Sequence, residues 1–420
     1  VETLACGHVA HPGRRRVCPH MLDPAANEDV AYVRLLSGNG LDGDLCCTRC
    51  DRDGDPELAV VCEGCVALYD DGESGYFEGW RGEPGVSERP EPVDTTVTVT
   101  PLPGPVLDLA PLPSPHGEPS WLVLGEGGRW LLRFQAAGGA YRRVCRVRLP
   151  AEETTPRTRL RLHASPDGRF AAVVRDFGRF GRVYDLASGK ATIEIDGGDY
   201  HCEQVPLSLV FFRYGGSTLV AHRTAWNRLD ISDPATGRLL TARDEADGER
   251  RLAGLFRGEL RVSPDGRWIA DDSWAWAPAG IPYVWDLRRW AGAGVWESDD
   301  GPSRQRLCQR FYFWNEPMCW IGDSLLAVAG LGDDDEAMLP GVRIFDAASG
   351  VELHDFAGPG GALFSAGRRL YAAGADGLTI WDPFTGERTG SVPGFVPTHH
   401  HRDAGLLAAV RDGALLTWRH

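Results

Sequence analysis

Lysine is all but missing from this chain. Lys190 stands alone among 44 basic residues, and the rest are arginine. With 52 Gly and 29 Pro beside that arginine, the bias points to a GC-rich, bacterial coding sequence. No apolar run approaches the roughly 18 residues of a membrane-spanning helix, so a span is not expected. The N-terminus lacks the apolar core of a secretory signal and carries Cys6, His8, Cys18 and His20 instead. The cytoplasm is therefore the expected compartment. Positive charge is also short: 59 acidic residues leave a net charge of -15. Such a surface repels phosphate backbones and disfavours nonspecific nucleic-acid binding. G-x-S-x-G, P-loop and H-E-x-x-H patterns are missing too, which removes the usual signatures of hydrolases, nucleotide enzymes and zinc proteases.

Cysteine is present but unevenly placed. Seven of eleven lie within the first 65 residues. In a reducing compartment, clustered C-x-x-C pairs suit metal ligation better than disulfides. The pairs are Cys47-Thr48-Arg49-Cys50 and Cys62-Glu63-Gly64-Cys65. Four thiolates in a tetrahedron favour zinc over hard cations, and a closed set of four ligands is structural rather than catalytic. Upstream, Cys6-Gly7-His8 and Cys18-Pro19-His20 supply a second quartet, with His11 to spare. One or two structural Zn2+ ions are expected. Sequence leaves open whether the pairs bind in order or interleave, and Cys46 could replace Cys47. The alternative is a redox or purely structural thiol cluster. Residues 1–80 form the expected zinc module, too small to bury much core, so metal would supply most of its folding free energy. Residues 1–90 carry 17 acidic residues against 8 Arg, unlike a DNA-reading finger. The run Arg14-Arg15-Arg16 reads as a solvated loop, with phosphate or acidic-partner binding the lesser alternative. Cys145, Cys202, Cys308 and Cys319 have no ligand spacing and read as buried free thiols.

Residues 81–92 are rich in Pro, Gly and charge and read as a linker. The β-branched alternation of 93–100 then reads as a strand. Beyond it a motif repeats. Ser165-Pro166-Asp167-Gly168-Arg169 is followed by Val183-Tyr184-Asp185, and Ser263-Pro264-Asp265-Gly266-Arg267 by Val284-Trp285-Asp286. A weaker copy is Ser365-Ala366-Gly367-Arg368, then Ile380-Trp381-Asp382. The serines are 98 and 102 residues apart, each about two units of a 40–50-residue repeat. Pro-Asp-Gly makes a strand turn: Pro sets φ, Asp caps backbone amides and Gly takes the left-handed position. Strand units fall near 105–150, 160–195, 207–240, 259–296, 318–356, 362–392 and 398–420, the last ending after three strands.

On these motifs, residues 93–420 resemble a WD-repeat seven-bladed β-propeller or the similar YVTN-type bacterial propellers. The Gly-His pair that opens typical WD repeats is missing, and the structural Asp before the third strand is clear only at Asp376. The resemblance implies an all-β ring whose incomplete last blade is closed by strand 93–100. It also implies a scaffold that recruits protein partners. The alternative is a propeller enzyme (lyase, hydrolase or redox) with its site in the channel mouth. Eight of the fourteen Trp fall between 268 and 320. Trp274, Trp276, Phe311, Phe313 and Trp314 are candidate partner-binding residues, since large aromatics dominate interface hot spots. The alternative is that they fill blade interfaces, the expected role of Trp285 and Trp320. His163 and the run His399-His400-His401 fall near the channel, where hydrogen-bonded histidines are expected over a metal or acid–base site. Asp333-Asp334-Asp335-Glu336 lacks the alternating ligands of a calcium loop and reads as an exposed tip.

Overall fold

The computed structural model describes residues 85–114, 118–243, 254–276, 278–332 and 338–420 in full, with the backbone of five short strands before them. The turn motif behaves as its chemistry requires. Ser165 Oγ donates to Asp167 Oδ1 at 2.6 Å and accepts from Phe170 N at 2.9 Å, while Gly168 takes φ 67°. Ser263, Asp265, Trp268 and Gly266 repeat the arrangement, with Gly266 at φ 69°. The third copy has no Asp, and there the Ser365 hydroxyl donates to the Trp320 carbonyl of the preceding blade. The second turn is built on Asp185, whose Oδ1 accepts from Ala187 N and Ser188 N at 3.0 and 2.8 Å.

These turns join antiparallel strands into seven successive sheets. Blade 1 is Val106–Leu112, Ser120–Gly125, Trp130–Gln135 and Ala140–Arg146. Blade 2 is Arg159–Ala164, Phe170–Asp176, Phe180–Asp185 and Lys190–Asp196. Blade 3 has three strands, Leu209–Tyr214, Ser217–Ala225 and Arg228–Ser232. Blade 4 is Leu260–Val262, Trp268–Ala275 and Ala279–Asp286, with the short Gln305–Arg306 in the outer place. Two helical turns interrupt it, α1 (Leu287–Ala291) and α2 (Glu297–Asp300). Blade 5 is Met318–Ile321, Leu325–Leu331, Leu339–Asp346 and Glu352–Ala357. Blade 6 is Ala362–Ala366, Arg369–Gly374, Gly377–Trp381 and Arg388–Pro393. Blade 7 has His399–His401, Leu406–Arg411 and Ala414–Arg419 from the end of the chain. Its outer strand is Thr98–Pro101. The chain is a seven-bladed β-propeller.

One blade cannot cover its own faces, so the core lies between blades. Leu112, Leu124, Val173 and Tyr184 pack between blades 1 and 2, and Ile269 and Trp285 meet Phe212 and Ile231 between blades 3 and 4. Leu109 and Trp121 of blade 1 pack against Ala408 and Leu415 of blade 7, which completes the ring. Small residues in the second strands, such as Ala171-Ala172 and Ala408-Ala409, let neighbouring sheets approach. Trp285 and Trp320 are buried in these interfaces.

The closing strand differs in extent from the expected 93–100. Ladder pairing begins only at Thr98, because Asp94 Oδ1 accepts from Thr96 N at 2.9 Å and bends the chain. The Asp94 carbonyl meanwhile accepts from Trp418 Nε1 at 2.6 Å. The Pro- and Gly-rich stretch also meets the ring. Arg388 N donates to Ser87 O at 2.8 Å, Arg89 N to Arg388 O at 2.9 Å and Glu91 N to Thr389 O at 2.8 Å. Arg89 pairs with Glu387 at 2.9 Å, and Glu91 with Arg369. Residues 87–91 thus cover an outer edge of blade 6 that would otherwise expose unpaired amides.

Before the propeller, β1 (Arg14–Val17), β2 (Tyr32–Leu35), β3 (Asp44–Cys47), β4 (Ala59–Cys62) and β5 (Phe77–Gly79) form one sheet in the order β4-β1-β3-β2-β5. The run Arg14-Arg15-Arg16, expected in a loop, forms most of β1, paired with β4 and β3. Cys6, His8, His11, Cys18, His20, Cys50, Cys65 and the acidic run 333–336 lie outside the described residues. Of the four other thiols, Cys145, Cys308 and Cys319 are buried, but Cys202 is only half-buried, because it lies in a blade connection and not in a strand.

Candidate partner-binding face and channel

Successive strands are antiparallel, so the turns between second and third strands emerge at the same end of the ring as the blade-to-blade connections. Five such segments converge between blades 2 and 5. The connection into blade 3 brings Tyr200 and His201, and the next turn brings Trp226. The connection into blade 4 brings Phe256. The turn after Ala275 brings Trp276 beside Trp274, and the connection into blade 5 brings Phe311, Tyr312, Phe313 and Trp314.

The rings form one continuous cluster. Tyr200 stacks on Phe256 at 5.6 Å, and Phe256 meets Trp226 at 4.7 Å and Trp274 at 4.5 Å. Trp274 contacts Trp276 at 5.2 Å and Trp314 at 5.3 Å, and His201 lies 4.5 Å from Trp276. Trp274 is only 3 % exposed and forms the floor. Trp276 at 61 %, Tyr312 at 59 % and Tyr200 at 52 % stand in solvent, with Phe311 at the margin and Phe313 and Trp314 half-buried. Of the five aromatic candidates in the sequence, Trp274, Trp276 and Trp314 are therefore in ring contact, while Phe311 lies in the two-residue strand Arg310–Phe311 beside Ala279–Asp286 and Phe313 in the loop that follows it. Tyr200, His201, Trp226 and Phe256 were not legible as members, because they lie in three separate blade connections and turns. The exposed Asp199 and the half-buried Glu203 border the cluster, with Glu203 Oε1 3.3 Å from His201 Nδ1.

The loops are held in shape. Trp314 Nε1 and Asn315 Nδ2 both donate to Gln204 O, at 3.1 and 2.8 Å, tying the blade 5 connection to that of blade 3. His201, Tyr312 and Asn315 have φ of 49°, 64° and 63°. Non-glycine residues adopt that region only under constraint, and it is common at binding sites. Gly280 permits the close approach: a Cβ there would lie 2.1 Å from Phe313 O.

Beneath this face lies a buried ionic network that sequence patterning did not reveal, because Asp271 and Asp272 interrupt an otherwise apolar strand. Arg257 donates to Asp271 Oδ2 at 3.1 Å, Asp299 Oδ1 at 2.6 Å, Ser298 O at 3.1 Å and Asn227 O at 3.2 Å. Arg243 joins Asp299 to Asp230, both contacts being 2.7 Å. Arg310 pairs with Asp272 at 2.7 Å. The network fixes α2 and the blade 4 insert against blades 3 and 4.

The channel strands carry a second charged group. Asp108 Oδ1 lies 2.8 Å from His399 Nε2, and its Oδ2 accepts from Leu162 N at 2.6 Å. Burial pushes the Asp108 carboxyl up, but His399 and the backbone amides outweigh it and hold it below the usual range. Burial also pushes Glu259 up, yet Arg261 and Arg161 bring it to about 2. Burial and the Arg161 charge push the His163 imidazole down to about 3. Burial, then Arg402 and His420, do the same for His400, whose Nε2 is 3.0 Å from that of His420. His401 is buried against Trp121, near Ser114 Oγ and Ser120 O. The channel histidines are thus held neutral or in hydrogen bonds.

Such histidines make the fold weaker in acid. A histidine with a folded pKa near 3 is neutral in the fold, while the unfolded chain binds a proton below about 6.5. Its contribution is present above about 6.5 and is lost as pH falls toward 3. At pH 5, His163 is expected to lower stability by about 2 kcal/mol relative to pH 7. Thermal unfolding from pH 7 to 5 checks this: His163→Gln is expected to show a flatter dependence than the native chain, and an identical slope would remove His163 as a cause.

No family model matches this sequence, and no curated protein does either. Among solved structures, a chain from the crystal structure of the mitotic checkpoint complex aligns with a TM-score of 0.47 and 17 % identity, over 81 % of this chain and 99 % of that one. The Cps50 (Swd1) β-propeller domain of Myceliophteria thermophila aligns at 0.41 and 12 %, over 76 % and 86 %. At these scores the likeness carries no argument, and the fold rests on the sheet order itself. Among the described residues, no helix is long and apolar enough to cross a membrane.

Proposed function

We propose that this chain is a protein-interaction scaffold of the bacterial cytoplasm, whose propeller docks a partner protein on the aromatic face between blades 2 and 5. The observation that carries this reading is the exposure of Trp276, Tyr312 and Tyr200 over a buried aromatic floor, on loops that break the repeat. Large aromatics half-sunk in a rigid surface are the usual anchors of protein interfaces. The acidic balance of the chain favours a protein over a nucleic acid as partner. In this reading the N-terminal module, with Cys6, His8, Cys18, His20, Cys47, Cys50, Cys62 and Cys65 as zinc ligands, is a second, structurally stiffened recruitment element.

The test is affinity capture on full-length protein, with partners identified by mass spectrometry and binding then remeasured with the purified partner. Trp276→Ala combined with Tyr312→Ala is expected to weaken binding by at least tenfold, the effect of losing one hot-spot anchor. Both side chains are exposed, so the thermal midpoint is expected to stay within a few degrees. Undiminished binding by the double variant would rule out this face.

A further inference from the structure

Partly exposed rings elsewhere on this propeller are covered by the chain's own arginines. Arg143 lies over Trp130 at 5.0 Å, Arg304 over Tyr283 at 3.5 Å and Arg368 over Phe384 at 4.5 Å from the ring centroid. A guanidinium on a ring face gains from the ring's quadrupole while its N–H edge stays free to donate. Among the described residues, no guanidinium lies over Tyr200, Trp226, Phe256, Trp276 or Tyr312. The exposed Tyr141 lacks such a cover too, but it stands on the outer strand of blade 1, away from this cluster.

The charged groups around these rings are acidic or already paired. Asp199 precedes Tyr200 in the chain and is exposed. Burial pushes the Glu203 carboxyl up, but its own backbone amide and His201 outweigh burial and hold it below the usual carboxylate range. Glu316, two residues past Trp314, is half-buried. The arginines of the adjoining turns and strands are committed. Arg179 is bound by Asp196 at 2.5 and 2.7 Å and lies 3.6 Å from Asp199. Arg228 pairs with Asp230 at 2.8 Å, and Arg310 with Asp272 at 2.7 Å. His201 sits between the two exposed rings, its centroid 4.6 Å from that of Tyr200 and 4.5 Å from that of Trp276.

We propose that the partner docks a positively charged segment on this face, laying an arginine guanidinium on the open rings of Tyr200 and Trp276 and turning its N–H groups toward Asp199 and Glu203. This names the chemistry of the partner and rests on the docking reading above. The rings offer electron-rich faces that the chain leaves uncovered, and the two carboxylates accept from the same cation. Arginine suits the site better than lysine, because a planar fork stacks and donates at once. An apolar segment would bury the two carboxylates without a donor, and an acidic one would meet like charge.

Selection of short random peptides, displayed on phage, on the full-length chain tests the docking face and the charge of its partner separately. Counter-selection uses the chain with Tyr200→Ala and Trp276→Ala, both exposed positions, after its thermal midpoint has been matched to the native one. Peptides retained by the native chain alone are expected to share an arginine. In the tightest of them, replacing that arginine with citrulline, its neutral isostere, is expected to weaken binding about tenfold at physiological salt. Asp199→Asn with Glu203→Gln in the protein is expected to weaken it about threefold or more with an unchanged midpoint. Face-dependent peptides that share no arginine, or full affinity after the change to citrulline, overturn the cationic segment and leave the docking face standing. If no retained peptide depends on Tyr200 and Trp276, the docking face falls as well.

Discussion

Replacing Arg257 with alanine is expected to destabilise the propeller by about 3–5 kcal/mol, the cost of removing one partner from a buried ion pair. The side chain is fully buried and places its fork between two carboxylates, Asp271 and Asp299, that are equally buried. Asp299 would keep Arg243, and Asp271 would keep the Gly258 amide and the Ser273 hydroxyl. The lost guanidinium still leaves a net negative charge in an interior that cannot hydrate it. The cavity adds to the cost, and Ser298 O and Asn227 O lose their donor. Arg257→Lys keeps the charge but not the fork, and is expected to recover only part of the loss. Urea and thermal unfolding of the three proteins measure this. Since Arg257 anchors α2 beneath the aromatic face, Arg257→Ala should also weaken partner binding, although Arg257 is not exposed. A midpoint shift of under a degree would mean that the network contributes little to the fold.

Removing the closing strand is expected to have the other large effect. Pro101, Thr100, Val99 and Thr98 pair with Ala414, Leu415, Leu416 and Thr417, and Val93 and Val97 pack near Trp418. A chain beginning at Leu102 would leave the Ala414–Arg419 edge unpaired, and the Trp418 indole would lose its acceptor, the Asp94 carbonyl. It would also remove the strand that staples the start of the ring to its last blade, leaving blades 7 and 1 joined by side-chain contacts alone. The expected outcome is a thermal midpoint lower by more than ten degrees and concentration-dependent association through the exposed edge. A chain beginning at Gly85 is expected to match the propeller of the full-length protein. Adding a peptide of residues 93–102 to the truncated chain should restore monomer and midpoint together. An unchanged midpoint without residues 85–101 would show that closure does not hold the ring.

Much of the ring was legible in the residues, and the reason differs from part to part. Ser-Pro-Asp-Gly-Arg specifies its turn locally: hydroxyl, carboxylate and glycine act within five residues, so the repeat could be counted and the blades placed. Strand 93–100 was legible as a strand from its β-branched alternation, yet its true start at Thr98 depends on the Asp94 turn and on the indole of Trp418, more than 300 residues away. The aromatic candidates were legible only in part. Trp274, Trp276 and Trp314 are close together in the chain, but Tyr200, Trp226 and Phe256 join them through the ring.

Sequence alone determined the turns, the strand alternation and the blade period, because each depends on neighbours a few residues apart. Tertiary structure decided which residues of distant blades meet: the aromatic face, the burial of Arg257 between Asp271 and Asp299, and the surroundings that push the His163 and His400 imidazoles down. The physical reason is the same in each case. Burial and ion pairing are set by distances through space, and a sequence specifies those only after the ring has closed.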